Sequence, residues 1–135
     1  MSITALIVDD SATARQIISY HLHHAGCTII GEAANATIAL KLFREHKPAV
    51  VTLDLMMPRV LNVDSMALLR TMKREMPEVA IIVVSVIAFE KTRNDFLDQG
   101  VLAYVHKPLN DFNFDPVRIK LRRVFPELVA AQFQE

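Results

Sequence analysis

One cysteine, Cys27, occurs in 135 residues, so no disulfide can close within the chain. A lone cysteine fits a reducing compartment, and its ordinary role is that of a small buried hydrophobe. No sign of charge is in excess, since 15 Lys and Arg stand against 15 Asp and Glu. No overall basic field draws the chain to nucleic acid, and no acidic surplus marks it as disordered. Long hydrophobic runs are also missing. The longest, Val79 to Phe89, contains Ser85 and is about half of the ~20 residues that span a bilayer. The opening residues do not read as a cleavable leader, because no basic stretch precedes an apolar one. No fixed-period repeat, low-complexity tract or flexible linker divides the chain. The expectation is a cytoplasmic protein with one core, residues 1–124 forming the domain and 125–135 a short C-terminal extension.

What is present is a series of apolar runs that stop at polar residues. AVVTL (49–53), rich in β-branched residues and without period-2 polarity, reads as a strand buried on both faces, and Asp54 follows it. ITALIV (3–8) stops at Asp9 and Asp10, VAIIVV (79–84) at Ser85, and LAYVH (102–106) at Lys107. TIIGEA (28–33) supplies a further strand.

Helical patterns lie between these strands. Ser11 is placed to cap a first helix whose apolar face is Ile17, Ile18 and Leu22 and whose C′ residue is Gly26. Residues 36–46 form a second helix with Ile38, Leu42 and Phe43 on one side, closed by Pro48. A third runs from Asn62 or Ser65 to Met76 with Met66, Leu69 and Met72 at helical spacing. Residues 89–99 make a polar fourth that stops at Gly100, and 112–124 a fifth that Pro126 breaks. Strands alternating with helices predict an α/β fold with a doubly wound five-stranded parallel sheet and right-handed crossovers. In such sheets ligands bind outside the carboxyl ends of the strands. Asp9, Asp10, Asp54, Ser85 and Lys107 all fall there.

Three carboxylates held together repel one another unless a cation lies among them, and hard oxygen donors suit Mg²⁺ or Mn²⁺. A lysine and a hydroxyl beside such a centre are the groups that stabilise a phosphoryl oxygen array. In that setting Asp54 is a nucleophile able to take up a phosphoryl group as an acyl phosphate.

The pair Asp9-Asp10, the run DLMMP at 54–58, Ser85, Tyr104 and Lys107-Pro108 together resemble the receiver domain of two-component response regulators, including the single-domain chemotaxis type. The resemblance covers nearly the whole chain, and the spacings from Asp10 to Asp54 and from Ser85 to Lys107 agree with it. It implies the flavodoxin-like (βα)5 fold with strand order 2-1-3-4-5, an order inherited from the family. It implies Asp54 as phosphoacceptor, and Mg²⁺ held by Asp10, Asp54 and the Met56 backbone carbonyl, with Asp9 acting through water. Lys107 then pairs with Asp54 or the phosphoryl group, and the peptide before Pro108 is cis. Ser85 moves to bond the phosphoryl oxygen, Tyr104 turns inward, and the signal leaves through the face of helix four, strand five and helix five. The phosphodonor is a histidine kinase or a histidine phosphotransfer protein. The output is a downstream protein or a second copy of the chain, with no direct contact to nucleic acid or membrane.

Two positions depart from the family pattern. Asn62 stands where glycine is usual, and asparagine is tolerant of left-handed backbone. Val86 stands where a small residue is usual and narrows the approach to the pocket. With Met56 and Ile87 it makes that approach apolar, which predicts slow self-dephosphorylation. The alternative function is a receiver-like docking or dimerisation module that no longer takes phosphate, against which stands the full set of charged site residues. An enzyme acting on external substrates needs a further acid or base and a cap, for which the chain has no room, and a flavin binder needs a phosphate loop where Asp9 and Asp10 lie. His21, His23 and His24 scatter in helical angle and read as surface residues. Met56, Met57, Met66, Met72 and Met76 read as core filler and loop.

Overall fold

A computed structural model describes residues 2–57 and 64–128. Five strands alternate with five helices: β1 (Ile3–Val8), α1 (Ala12–His24), β2 (Cys27–Ala33), α2 (Ala36–His46), β3 (Val50–Leu53), α3 (Ser65–Glu75), β4 (Ala80–Ser85), α4 (Glu90–Asp98), β5 (Ala103–His106) and α5 (Asp111–Val124). The strands form one parallel sheet in the order β2-β1-β3-β4-β5. Pro58 and Asn62 of the sequence analysis, and the tail beyond Leu128, lie outside the described residues.

The continuous apolar strands are explained by packing on both faces of the sheet, which divides the single core expected from the sequence into two clusters. Side chains alternate along a strand, so Ala5, Ile7, Ile82 and Val84 point one way and Leu6, Val8, Ile81 and Val83 the other. On the first face Ile18 and Leu22 of α1 and Phe114, Val117 and Leu121 of α5 close the core. On the second, Ala39 and Phe43 of α2, Leu68, Leu69 and Met72 of α3, and Phe96 of α4 do so. With helices on both faces, polar groups are left to the strand ends and to the β2 edge, where Thr28 and Glu32 are exposed.

Local chemistry sets the helix starts. The side chains of Ser11, Asn35 and Asp64 accept from the N–H groups of Ala14, Ile38 and Ala67, each filling one of the open donors of a first turn. Asn110 and Asn113 form a reciprocal capping box at α5, whose second turn carries Pro116. Beyond α1 the chain reverses through Gly26 at φ +100°, a left-handed conformation that glycine adopts without strain.

Several expectations change. Ile17 and Ile38 are exposed, while Ala36 and Ala39 are buried beside Phe43 on α2. Leu68, not Met66, shares the buried face of α3 with Leu69 and Met72. His21 is buried: it stacks on Phe114 of α5 with ring centroids 5.2 Å apart, while His23 and His24 stay outside. α3 begins at Ser65 and is capped by Asp64. Beyond α5, Leu128 folds back with only 1% of its surface exposed and joins the first core, its side chain lying over Gly26. Among the described residues no helix is long and apolar enough to cross a membrane.

Candidate functional site at the carboxyl ends of the strands

Parallel strands deliver their following residues to one edge. Asp9 and Asp10 follow β1, Asp54 follows β3, Ser85 closes β4, and Lys107 comes one residue after β5. The order of the sheet makes β1 and β3 neighbours, so the three aspartates converge, with one carboxylate oxygen of each within 4.8 Å of the others. Asp9 and Ser85 are 0% exposed and Asp54 3%, whereas Asp10 is open to solvent. Lys107 reaches back across the ends of β4 and β3, its Nζ 2.7 Å from Asp9 Oδ2 and 3.6 Å from Asp54 Oδ2. The closer contact is an ion pair without hydrogen-bond alignment, so that buried oxygen keeps unused acceptor capacity. The Lys107–Pro108 peptide is cis.

Burial pushes the Asp54 carboxyl above the usual carboxylate range. A hydrogen bond from the Met56 N–H, 3.2 Å from Oδ1, opposes this, Asp9 repulsion adds to it, Lys107 opposes it, and Asp10 adds to it. A site with that balance favours an additional positive charge. Its donors are hard oxygens, and the exposed Asp10 leaves room for water, so the residues present fit Mg²⁺ or Mn²⁺.

The surrounding backbone is held by specific bonds. Asp9 Oδ1 accepts from the Ser11 N–H at 2.9 Å, which fixes the first carboxylate at the start of α1. Arg15 Nη1 donates to the Asp9 carbonyl at 2.6 Å, and its Nε donates to Glu32 at 3.1 Å. Ser65 Oγ donates to the carbonyls of Asp54 and Leu55 at 3.1 and 3.3 Å, tying the β3 end to α3. Sequence reasoning missed Arg15 and Ser65. The available signal was positional: Arg15 lies one turn into the helix that follows Asp9, and Ser65 opens the helix that follows Asp54.

On the other side of the pocket Ser85 Oγ accepts from the Ile87 N–H at 3.1 Å, and the same side chain hydrogen-bonds Tyr104. Tyr104 is half-buried and already turned toward this loop, its hydroxyl donating to the Ile87 carbonyl at 2.7 Å. Burial raises its phenol above the ordinary value, against opposition from Ser85 and Arg93. Met56 and Val86 are 57% and 52% exposed at the rim, and Ile87 is half-buried. Val86 lines an apolar groove of about 350 Å³ with Ala14, Ile17, Ile18, Pro108 and Leu109, and Lys107 borders it as well. The His21, His23 and His24 group contributes nothing to this edge, and Cys27 sits at the opposite end of its strand, its thiol pushed up to about 11 by burial.

Comparison with known proteins gives the same picture. Residues 5–114 match the response regulator receiver domain family. The chain is 32% identical over 114 residues to chemotaxis protein CheY of Thermotoga maritima, covering 84% of this chain and 88% of that one. It is 29% identical over 131 residues to an uncharacterised response regulatory protein of Vibrio parahaemolyticus, covering 96% of this chain and 52% of that protein. A protein-glutamate methylesterase of Alkalilimnicola ehrlichii is 31% identical over 123 residues, which take in 30% of its length. The chain thus spans about half or less of several curated relatives. Among solved structures, the CheX-CheY-BeF3-Mg complex of Borrelia burgdorferi aligns at TM-score 0.78 and 26% identity, covering 91% of this chain and 89% of that one. The receiver domain of AraT from Geobacillus stearothermophilus shares the fold at TM-score 0.80 and 24% identity, covering 98% of this chain and 99% of that one. With the fold, the strand-end aspartates and the match over residues 5–114 in agreement, the chain belongs to the response regulator receiver domains of bacterial two-component systems.

Proposed function

We propose that the protein is a phosphorylation switch in which Asp54 accepts a phosphoryl group from a histidine kinase or a histidine phosphotransfer protein. The observation that carries this reading is the placement of Lys107 Nζ within ion-pair reach of both Asp9 and Asp54, in a cluster of three carboxylates. In the transfer the donor's N–P bond breaks as an Asp54 Oδ–P bond forms, giving an acyl phosphate. Hydrolysis later returns the carboxylate and inorganic phosphate.

Asp54 attacks as the carboxylate, and the Met56 N–H bond and Lys107 favour that form against burial. Asp10, Asp54 and the Met56 carbonyl would hold Mg²⁺ or Mn²⁺, with Asp9 acting through water. Bound there, the cation neutralises charge on the phosphoryl oxygens. Lys107 exchanges its contact with Asp9 for one with a phosphoryl oxygen. The Ser85 hydroxyl exchanges its contact with Tyr104 for one to a second phosphoryl oxygen, and Tyr104 follows the loop that Ser85 draws inward. Phosphoryl transfer to Asp54 and hydrolysis of the resulting acyl phosphate are the covalent steps assigned to this chain, and no external substrate is turned over.

The outgoing signal uses the α4, β5 and α5 face. A groove of about 350 Å³ on it is lined by Arg93, Leu97, Phe112, Asn113, Pro116 and Lys120, cationic at two points and mixed apolar and polar between them. That chemistry suits a protein segment with acidic and apolar residues, and the CheX-CheY complex is a relative bound to a protein partner.

The test is intact-mass analysis after incubation with a small-molecule phosphodonor and Mg²⁺. The expected result is one phosphate adduct, absent in Asp54→Asn and in chelator. An adduct that persists in Asp54→Asn, or none in the wild type, overturns the reading.

A further inference from the structure

The ladder that joins β4 to β5 ends at the bond from the Lys107 N–H to the Ser85 carbonyl, 2.8 Å long. Beyond it the chain of β4 turns away as the loop Val86 to Phe89, and its next peptide groups have no strand partner. Two side chains from β5 take over that role. His106 Nε2 lies 3.0 Å from the Val86 carbonyl, and Tyr104 Oη donates to the Ile87 carbonyl at 2.7 Å. Tyr104 and His106 are two residues apart in a strand and so lie on one face. A carbonyl carries no proton, so the ring must donate through Nε2–H, which the neutral Nε2 tautomer and the imidazolium both supply.

The strand end that bears this imidazole is itself fixed. Asn113 Nδ2 donates to the carbonyls of His106 and Pro108 at 3.1 and 3.0 Å, gripping the backbone on both sides of Lys107. Asn113 belongs to the capping box of α5, so the grip is part of a rigid element. A continuous path of hydrogen bonds therefore runs from α5, through His106, to the residue that follows Ser85. His106 is exposed, yet its ring is directed at the Val86 carbonyl, and this residue is not among those that carry the family resemblance.

We propose that His106 is a positioning residue of the phosphoryl-accepting site: its ring N–H holds the Val86 carbonyl and thereby sets the Ser85 hydroxyl and the Val86 side chain relative to Lys107. Its effect on phosphate chemistry rests on the reading of Asp54 as phosphoacceptor, whereas its hold on the loop does not.

Two variants separate the bond from the ring. His106→Phe keeps the ring and removes the donor, and His106→Gln places an amide N–H where Nε2 stands. The first measurement is amide hydrogen exchange of Val86, Ile87 and Ala88, by NMR, without phosphodonor or metal. Exchange should quicken about three- to tenfold in His106→Phe, the loss expected for one neutral hydrogen bond, and return toward wild type in His106→Gln, with Ile82 in the core unchanged. The second is the rate of adduct formation with a small-molecule phosphodonor and Mg²⁺, which should fall by a similar factor in His106→Phe and recover in His106→Gln. Wild-type behaviour of His106→Phe in either measurement overturns the proposal, as does an equal defect in both variants. A wild-type protein that takes no phosphate overturns the functional reading and the phosphate effect with it, while the exchange measurement alone decides the hold on the loop.

Discussion

Lys107 Nζ lies nearer to Asp9 than to Asp54, at 2.7 Å against 3.6 Å. The ammonium thus compensates the most deeply buried carboxylate of the site while remaining within reach of its neighbour. Lys107→Met strands Asp9, and the metal-free protein should lose about 1–3 kcal/mol, below the usual cost of breaking a buried pair because the lysine keeps some contact with water. Asp9→Asn combined with Lys107→Met should cost less than the two changes summed. Urea denaturation in chelator measures both, and strict additivity would show that the two groups do not interact.

Divalent metal should stabilise the fold, since the three carboxylates repel one another in its absence. At Mg²⁺ about 100-fold above its dissociation constant, the gain is about 2.7 kcal/mol. The shift should largely vanish in Asp10→Asn. A urea midpoint that is the same in Mg²⁺ and in chelator would remove the cation from the site.

The rim of the pocket is apolar at Met56, Val86 and Ile87. Val86→Ala, Met56→Asn and Ile87→Glu should each speed decay of the acyl phosphate, by up to about tenfold, a barrier change of ~1.4 kcal/mol. The measurement is loss of the adduct by intact mass after the phosphodonor is removed. If none of the three decays faster, rim polarity does not control water access.

His21 gives stability a pH dependence. Burial lowers its pKa first, Asp111 opposes, Arg118 and His24 add to the lowering, and Asp115 opposes again. With the folded value below the unfolded one near 6.5, the unfolded chain binds the extra proton first. The contribution is complete above about pH 6.5 and is lost as pH falls below that toward the lowered folded value. His21→Phe should flatten this part of the stability profile, as read by urea midpoints between about pH 7 and 5. An unchanged slope would mean that His21 titrates alike in both states.

The turn after α5 contributes to the core. Leu128→Ala should cost about 2–3 kcal/mol. Gly26→Ala should cost at least about 1 kcal/mol, because Gly26 has φ +100° and a Cβ there would stand 3.2 Å from Leu128 Cδ2. Thermal melts of both variants check this. A Leu128→Ala protein as stable as wild type would show that the turn contributes nothing.

Four of the five strands are legible because each is a short apolar run with a polar stop, and those stops converge on one edge, whereas β2 carries Thr28 and Glu32 and ends at Ala33. The approach of Lys107 to Asp9 is not legible, because it depends on the path of the ammonium back over two strand ends rather than on any spacing. Ile38 misleads because helical periodicity marks a face without saying how close the sheet comes, and on α2 the buried places beside Phe43 are taken by Ala36 and Ala39. His21 misleads for the converse reason, since its partner Phe114 is far away in sequence. Asp64 is hidden between Asn62 and Ser65, two equally plausible helix starts. Arg15 and His106 act on backbone carbonyls, and a carbonyl leaves no mark in a sequence.

The register of β2 against β1 slips by one residue between Ala5 and Leu6, where Ile29 and Gly31 are paired and Ile30 is passed over. β2 is an edge of the sheet, and a regular edge is an open template onto which another chain can add. The slip interrupts that template in mid-strand, where a regular incoming strand loses its pairing. The irregularity thus makes the β2 edge a poorer template for an incoming strand, and a Cβ at Gly31 beside it would require the Leu42 side chain, 3.2 Å away, to give by a few tenths of an ångström.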